Sequence, residues 1–321
     1  MKLFSYQFLF YNLILFIFTV FIYKEFIPIC RRKLIDRPNS RSSHLNPTPT
    51  SGGIIFALLT TLISLGSGNL TTLISFPISV LGLIDDLKNV KPAFRYLSQL
   101  ITIIILLIIY SSSDSFLGFL IKSYLFIIPI VVFFLSGIIN FINFMDGIDG
   151  LVGGCMMVIL IYFSINFNIS YWPLIPTLLA FLIFNWSPSK IFMGDSGSLF
   201  LGSIYISALL QAPNALFFIK LLLLGSPLFI DSIICIVKRF LLKQNIFSPH
   251  KSHLYQRLVS AGFTHSVVSI LYIGATILLS LVSIYFSYKI LLITTLFIIL
   301  LGIILDKYFA ISFKKSIVSP E

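Results

Sequence analysis

Long apolar stretches alternate with short polar connections along the whole chain. The apolar stretches fall at about 4–23, 53–66, 70–84, 97–111, 123–141, 151–168, 172–186, 198–211, 215–236, 266–284 and 289–306. Stretches of this kind predict helices that cross a bilayer, although several are shorter than the roughly 17–25 residues usual for a spanning helix. The pattern predicts an all-α, polytopic transmembrane bundle of about 10–11 helices, with residues 1–321 forming a single domain.

The composition supports a membrane protein and argues against a water-soluble one. The 321 residues are 58% hydrophobic and 10% charged, and no soluble core absorbs that much apolar surface. A formal net charge of +11 would suit nucleic acid, but positive charge on one side of a membrane explains it better, so no nucleic-acid partner is predicted. The three cysteines lack metal-ligand spacing and are interpreted as packing residues.

The basic residues divide the polar connections into two sets. Eighteen of the 22 lysines and arginines lie in 24–52, 85–96, 142–150, 187–197, 237–265 and the tail from 307. The other four are Lys2, Lys122, Lys220 and Lys289. Because lysine and arginine favour cytoplasmic connections, the first set is predicted to be cytoplasmic. The N-terminus is then outside and the C-terminus inside.

Five of the acids on the predicted cytoplasmic side are candidate site residues. They are Asp85, Asp86, Asp146, Asp149 and Asp195. A helix cap or a solvated loop would explain any one of them, but charges near the membrane are costly unless they are paired. Five acids on one rim would also repel each other unless a cation neutralised them. Oxygen ligands of this kind favour Mg²⁺, with Mn²⁺ as a second candidate, and Mg²⁺ commonly arrives with a substrate phosphate.

The spacing within one segment groups three polar side chains. Asn143, Asp146 and Asp149 follow each other at intervals of three residues. If the segment is helical, this spacing places all three on one face. Asp195 lies in a separate glycine-containing turn before the next apolar stretch.

Two basic segments accompany the acids on the same side. The first runs from Arg37 through Arg41 and His44 to the turn at Thr50 and Gly52. The second contains His250, Lys251, His253 and Arg257. Bases, imidazoles and a glycine turn suit a polyanion such as a pyrophosphate. Ordinary positive-inside charge is the alternative for the arginines.

These segments together resemble the polyprenyl-phosphate N-acetylhexosamine-1-phosphate transferases, glycosyltransferase family 4. The segments that carry the resemblance occur in the family's order: 48–53, Asp85-Asp86 with Lys88, 143–151, 192–202 and 249–253. They span most of the chain, from about residue 34 to 257. The segment His250-Lys251-Ser252-His253 departs from the histidine triplet of the lipid I enzymes. With the segment from Arg37 to His44, it is more similar to the O-antigen-initiating branch.

The resemblance implies a reaction and its partners. UDP-N-acetylhexosamine and polyprenyl phosphate would give a polyprenyl-diphospho-sugar and UMP, with Mg²⁺ as the cofactor. This step initiates O-antigen or another cell-surface polysaccharide, at the cytoplasmic face of the bacterial inner membrane. Membrane lipids are further partners, and a homodimer is left open.

Two other functions stay open from the sequence. One is the lipid I-forming phospho-MurNAc-pentapeptide transferase. The other is a membrane transporter, which would carry polar groups near the bilayer midplane. The predicted midplane stretches 101–109 and 290–301 hold no charged residue. This favours chemistry at one interface.

The resemblance also implies roles for individual residues. The metal ligands would be Asn143 and Asp195. The catalytic residues would be Asp85, Asp86, Asp195 and His253, with Asp85 deprotonating or positioning the lipid phosphate and Asp195 as a covalent nucleophile in a competing scheme. The substrate-binding residues would be Thr50, Gly52, Lys88, Asp146, Asp149, His250 and Arg257. The stretches 198–211 and 215–236 are candidate walls of a groove for the lipid chain.

Overall fold

The computed structural model describes residues 5–38, 43, 46–110, 115–246, 248 and 250–317. Its α-helices are α1 (Tyr6–Lys33), α2 (Gly53–Ser67), α3 (Leu70–Lys88), α4 (Pro92–Tyr110), α5 (Phe116–Ser123), α6 (Ile128–Phe144), α7 (Leu151–Asn166), α8 (Leu174–Asn185), α9 (Gly194–Leu210), α10 (Ala215–Leu224), α11 (Ser226–Leu241), α12 (Leu254–Ser260), α13 (His265–Tyr285), α14 (Tyr288–Tyr308) and α15 (Phe313–Ile317). Two short antiparallel strands, β1 (Ile35–Asp36) and β2 (Thr48–Pro49), pair beside the end of α1.

The prediction of an all-α, multi-pass membrane bundle is confirmed. Each of the eleven predicted apolar stretches is largely helical. In the part of the chain that the structure describes, six helices are long and apolar enough to cross a membrane, and α10 with α11 would make a seventh span. The other apolar helices, such as α2 and α7, are shorter.

Two of the predicted spans have the wrong shape. The first helix does not end near residue 23 but continues to Lys33, so part of the predicted connection 24–52 is helical. The stretch 215–236 is not one straight span, because α10 and α11 meet at a bend of 71°. Gly225 lies at this bend, and Pro227 occupies the first turn of α11. Proline has no amide hydrogen to donate to the preceding turn, which makes it suited to the start of a helix.

Asn143, Asp146 and Asp149 do not share one helical face, because the segment that carries them is not a single helix. Helix α6 ends at Phe144, and the next helix starts at Leu151. Asp146 and Asp149 therefore lie in a turn, which closes at Gly150 with a φ of 75° that glycine adopts readily. The amide of Gly150 donates to Asn185 Oδ1 at 3.0 Å, so a contact from α8 holds the turn in place.

Helix α9 forms the centre of the bundle. Every residue from Ser196 to Leu210 is buried, and small residues let neighbouring helices approach it closely. Ser79 of α3 donates to the Ser196 carbonyl at 2.7 Å, and a side chain at Gly82 would meet the Asp195 backbone at 2.5 Å. A helix enclosed in this way cannot wall a lipid-facing groove, so that expectation for the stretch 198–211 is wrong.

Polar residues at the ends of several helices meet at one end of the bundle. The C-terminal ends of α3, α6 and α8 contact the N-terminal ends of α4, α7 and α9 there. At the other end, Asn168 donates to Gln211 Oε1 at 3.1 Å, and Asn69 donates to the Ser170 carbonyl at 3.2 Å. All five predicted carboxylates lie at the end of the bundle described first, because the connections that carry them all return to that end.

Candidate active site

Four carboxylates and one arginine form the centre of the polar end. The Arg95 guanidinium bridges two of the acids, at 2.9 Å from Asp85 Oδ2 and 2.6 Å from Asp195 Oδ2. Asn143 donates to the other oxygen of Asp195 at 2.9 Å. Asp195 lies in the first turn of α9, where the helix dipole favours a negative charge. The helices α3, α4, α6 and α9 therefore share one charged contact network.

The adjacent residues Asp85 and Asp86 have different surroundings. Asp85 accepts the Val90 amide at 2.6 Å in addition to its pairing with Arg95. Asp86 accepts the Ser51 hydroxyl at 2.5 Å and the Asp195 amide at 3.3 Å. Asp85 thus closes the turn after α3, whereas Asp86 faces Ser51, just before α2, and the first turn of α9.

Asp146 stands out because no group of opposite charge faces it. Among the described residues its carboxylate has no hydrogen bond and no salt bridge. Burial raises the pKa of Asp146 well above its ordinary value, and the nearby charges of Asp195, Asp86 and Asp149 raise it further. An acid in this position is suited to a cation or to a hydrogen-bond donor brought by a ligand.

We expect Asp146→Asn to raise the melting temperature in detergent without divalent cations by about 2–5 °C, while it lowers turnover. The amide removes the repulsion from Asp86 and Asp195 but also removes a ligand-facing charge. Since the pKa of Asp146 is raised, lowering the pH protonates the acid in the folded protein and the stability gain should shrink. Thermal scans at several pH values measure this. A variant that is less stable than wild type at neutral pH would contradict the unpaired state of Asp146.

Asp149 is paired with a histidine that the sequence did not single out. His265 Nδ1 lies 3.2 Å from Asp149 Oδ2, and the Ser189 amide donates to the same oxygen at 3.3 Å. Burial opposes ionisation, but the hydrogen bond and charge of His265 outweigh it and hold the pKa of Asp149 below its ordinary value. The second oxygen, Oδ1, is buried without a partner.

A polar cavity of about 420 Å³ opens over these acids. It is lined by Asp36, Ser43, Thr50, Asp86, Asn143, Asp146, Gly147, Ile148, Asp149, Asn185, Phe192, Met193, Gly194, Asp195, His250, Gln256 and His265. The cavity lining combines carboxylates with the imidazoles of His250 and His265. Such a site suits a ligand that carries phosphates together with hydroxyl or amide donors.

Known proteins with similar sequences decide the family. The sequence model of glycosyl transferase family 4 matches residues 69–212. A probable undecaprenyl-phosphate N-acetylglucosaminyl 1-phosphate transferase of Bacillus subtilis (strain 168) is 34% identical over 267 residues, which is 75% of this chain and 74% of the relative. The chain belongs to glycosyl transferase family 4.

Two further relatives in the family differ in their named reactions. An undecaprenyl-phosphate alpha-N-acetylglucosaminyl 1-phosphate transferase of Thermotoga maritima is 30% identical over 237 residues, or 71% of this chain and 75% of the relative. A phospho-N-acetylmuramoyl-pentapeptide-transferase of Clostridium botulinum is 29% identical over 240 residues, or 64% and 74%. The family segment 69–212 contains Asp85, Asp86, Asp146, Asp149 and Asp195.

The structure brings most of the predicted site residues of this family 4 transferase together. Those that line the cavity are Thr50, Asp86, Asn143, Asp146, Asp149, Asp195 and His250. Asp85 is joined to them through Arg95. Which of these side chains contacts a substrate remains a prediction. Arg41 and His44 of the first basic segment lie outside the described residues.

Besides Asp85, four predicted site residues do not line the cavity: Gly52, Lys88, His253 and Arg257. Lys88 is exposed at the end of α3. Gly52 is needed for packing, because a side chain there would meet the Phe192 carbonyl at 3.0 Å. Its amide donates to that same carbonyl at 2.8 Å, which ties the start of α2 to the segment before α9.

His253 and Arg257 make contacts within the protein instead. His253 Nδ1 lies 3.7 Å from Asp231 Oδ1, and Asp231 also accepts the Leu254 amide at 2.7 Å. Arg257 is only 3% exposed and donates to the carbonyls of Ser252 and Ile311 and to the Asp306 carboxylate. To bind a substrate, Arg257 would have to break contacts that fix α12 against α14.

The donor atoms around Asp195 fit a hard divalent cation. Asp85, Asp86, Asp146 and Asp195 bring four carboxylates together against the single guanidinium of Arg95, and Asp146 lacks a partner. In the described part of the chain, one trio of His, Cys, Asp or Glu residues has all its ligand atoms within 4.8 Å of one another: Cys235, His250 and His253. No three of the four acids lie that close together. A cation at the acids would therefore need the Asn143 amide oxygen, water or a substrate phosphate to complete its shell.

Sequence reasoning missed Arg95, Ser51 and His265 as members of the site. In the sequence, Arg95 is one of many inside-facing positive charges, and Ser51 is part of a glycine-containing turn. Neither residue is marked by spacing, because each reaches its acid across the bundle: Ser51 contacts a residue 35 positions away, and Arg95 contacts Asp195 on α9. The sequence shows only that each is a polar residue close to a predicted helix end on the side of the acids.

Proposed function

We propose that the protein transfers N-acetylhexosamine-1-phosphate from a UDP-sugar to undecaprenyl phosphate at the cytoplasmic face of the bacterial inner membrane, and releases UMP. The named reactions of the relatives from Bacillus subtilis and Thermotoga maritima support this reaction. The observation that carries it is the convergence of Asp86, Asn143, Asp146 and Asp195 on one polar cavity at one end of a membrane bundle. The product would begin O-antigen or a related surface polysaccharide.

A second space beside the cavity supports a lipid substrate. An apolar groove of about 440 Å³ is lined mainly by α11, α13 and α14, including Ile230, Leu278 and Leu301. It thus involves the predicted stretch 215–236, but only the part after the bend. We propose that the polyprenyl chain lies in this groove.

One short segment separates the groove from the cavity. His250 and Gln256 line the polar cavity, whereas Ser252 and Leu254 line the apolar groove. A lipid phosphate at the end of the groove would therefore lie next to a nucleotide sugar in the cavity. This adjacency of an apolar and an anion-binding space fits a transferase with one lipid and one nucleotide substrate better than a transporter.

The chemistry requires two anions to meet. An oxygen of the lipid phosphate forms a bond to the phosphorus that carries the sugar, and the bond from that phosphorus to the UMP oxygen breaks. Bound Mg²⁺ would offset the repulsion and stabilise the charge on the leaving oxygen, and Asn143 and Asp195 are the residues proposed to hold it. Mn²⁺ is the second candidate cation.

The protein's own groups would fix the reacting phosphates. Arg95 holds Asp85 and Asp195 in place, and Ser51 orients Asp86 toward the start of α9. Asp85 or Asp86 would position the lipid phosphate. Since the second pKa of a phosphate monoester is about 6, little deprotonation is needed at neutral pH. Asp146 and Asp149 would face the nucleotide.

The function is tested by measuring UMP release from the purified protein in detergent. We expect release to require undecaprenyl phosphate, a divalent cation and one UDP-N-acetylhexosamine of a panel that starts with UDP-N-acetylglucosamine. UDP-MurNAc-pentapeptide belongs in the same panel, because one of the relatives is named for that substrate. UMP release that is independent of the lipid, or uptake of a UDP-sugar into vesicles without UMP release, would contradict the proposal.

A further inference from the structure

His265 occupies the first position of α13 and faces the polar cavity. Its two ring nitrogens contact two different segments: Nδ1 lies 3.2 Å from Asp149 Oδ2, and Nε2 lies 3.1 Å from the Ser43 carbonyl. The side chain is 14% exposed. His265 therefore connects the turn between α6 and α7, the segment before β2 and the start of α13.

The partners of His265 define its protonation state. A carbonyl oxygen and an ionised carboxylate oxygen can only accept hydrogen bonds. Each ring nitrogen must therefore donate, and an imidazole that donates from both nitrogens is the cationic form. His265 thus supplies a positive charge next to Asp149. Three other residues that line this cavity, Asp86, Asp146 and Asp195, are acids.

Helix α13 also holds Asp149 through its backbone. Ser269, one turn after His265, donates to the Asp149 carbonyl at 2.7 Å. With the Ser189 amide at 3.3 Å from Oδ2, the residue is fixed from three directions. Its other oxygen, Oδ1, is buried without a partner, although Asp149 itself is 6% exposed and lines the cavity.

We propose that His265 is a positioning residue for the UDP-sugar: it holds the Asp149 carboxylate at the cavity wall, where this carboxylate would accept a hydrogen bond from a donor of the bound nucleotide, and it fastens the Ser43 segment to the same wall. This inference rests on the proposed function, since it assigns the nucleotide to this part of the cavity. His265 contacts no substrate itself in this scheme. It fixes the direction of Asp149 and offsets its charge.

The test separates binding of the two substrates. We expect His265→Ala to raise the KM for the UDP-sugar by about ten- to a hundredfold, because Asp149 then loses a charge-assisted hydrogen bond and its carboxylate is held less firmly. The kcat and the KM for undecaprenyl phosphate should change by less than about threefold. His265→Gln, which keeps one donor but no charge, should fall between Ala and wild type.

A double-mutant cycle with Asp149→Asn shows whether His265 acts through Asp149. If it does, His265→Ala should add less than about threefold to the KM of the Asp149→Asn variant, because the interaction is already lost. Val267→Ala serves as the control, since Val267 lies in the same turn of α13 and is 44% exposed. Additive effects of the two substitutions, or an equal rise in the KM for both substrates, would overturn the inference.

Failure of folding and failure of the proposed function give different results. Each variant is first compared with wild type by gel filtration in detergent and by melting temperature. If wild type transfers no sugar phosphate, the proposed function is wrong. In that case the melting temperatures of wild type, the two single variants and the double variant are compared. Additive effects of His265→Ala and Asp149→Asn on the melting temperature would overturn the pairing on which the inference depends.

Discussion

Asp195→Asn is expected to lower turnover by a factor of about 10² to 10³ while the protein still folds and inserts. The substitution keeps the size of the side chain and leaves Asn143 a carbonyl oxygen to donate to. It removes the negative charge that pairs with Arg95 at 2.6 Å and that would hold a divalent cation. The loss should therefore appear in kcat, with smaller changes in the KM of either substrate.

A matched control for this loss lies on the surface. Glu25→Gln also removes one carboxylate, but Glu25 is exposed on α1 away from the cavity, so its turnover should equal that of wild type. Turnover is measured as UMP release at saturating substrates over a range of Mg²⁺ concentrations. Near-normal turnover of Asp195→Asn would rule out Asp195 as a metal ligand and as a nucleophile.

Arg95→Gln is expected to lower turnover by about 10²-fold or more, although Arg95 was not among the residues that the sequence indicated. Its guanidinium bridges Asp85 and Asp195, two acids on different helices. Without it, the carboxylates repel each other and lose their relative positions. Arg95→Lys should recover only part of the activity, because an ammonium group cannot make the same forked contacts with two carboxylates.

The neighbouring lysine provides the comparison for Arg95. Lys91 lies one helical turn before Arg95 in sequence and is exposed, so Lys91→Gln removes the same charge without touching the acids. The same UMP-release assay measures all three variants. If Arg95→Gln and Lys91→Gln were equally active, the Arg95 bridge would have no part in the site. If Arg95→Lys matched wild type, a positive charge alone would be enough.

The cavity concentrates charge that the fold does not fully neutralise. Arg95 serves two acids, His265 serves Asp149, and Asp146 has no counterion among the described residues. Residual repulsion of this kind lowers stability but leaves ligand-facing groups free for a cation and two phosphates. The expected gain in melting temperature of Asp146→Asn, together with its loss of turnover, would measure this trade-off between stability and activity.

Much of this protein could be predicted from the order of its residues. Apolar stretches marked the helices, and eighteen basic residues on one set of connections marked the side on which the acids lie. The spaced acids and the glycine turns were sufficient for the family resemblance, which the matching family and relatives confirmed. These features are local, since hydropathy and charge act on each segment whatever its neighbours are.

The tertiary structure decided which of these groups meet. Adjacent Asp85 and Asp86 face different partners, Arg95 and His265 reach acids on other helices, and Arg257 is committed to Asp306. Only the packing showed that α9 is enclosed and that α10 and α11 bend apart. In a membrane protein, lipid-facing and core-facing surfaces are equally apolar, so the sequence pattern does not distinguish them. Close contacts between small residues and polar pairs across helices select the packing, and they exist only once the helices are assembled.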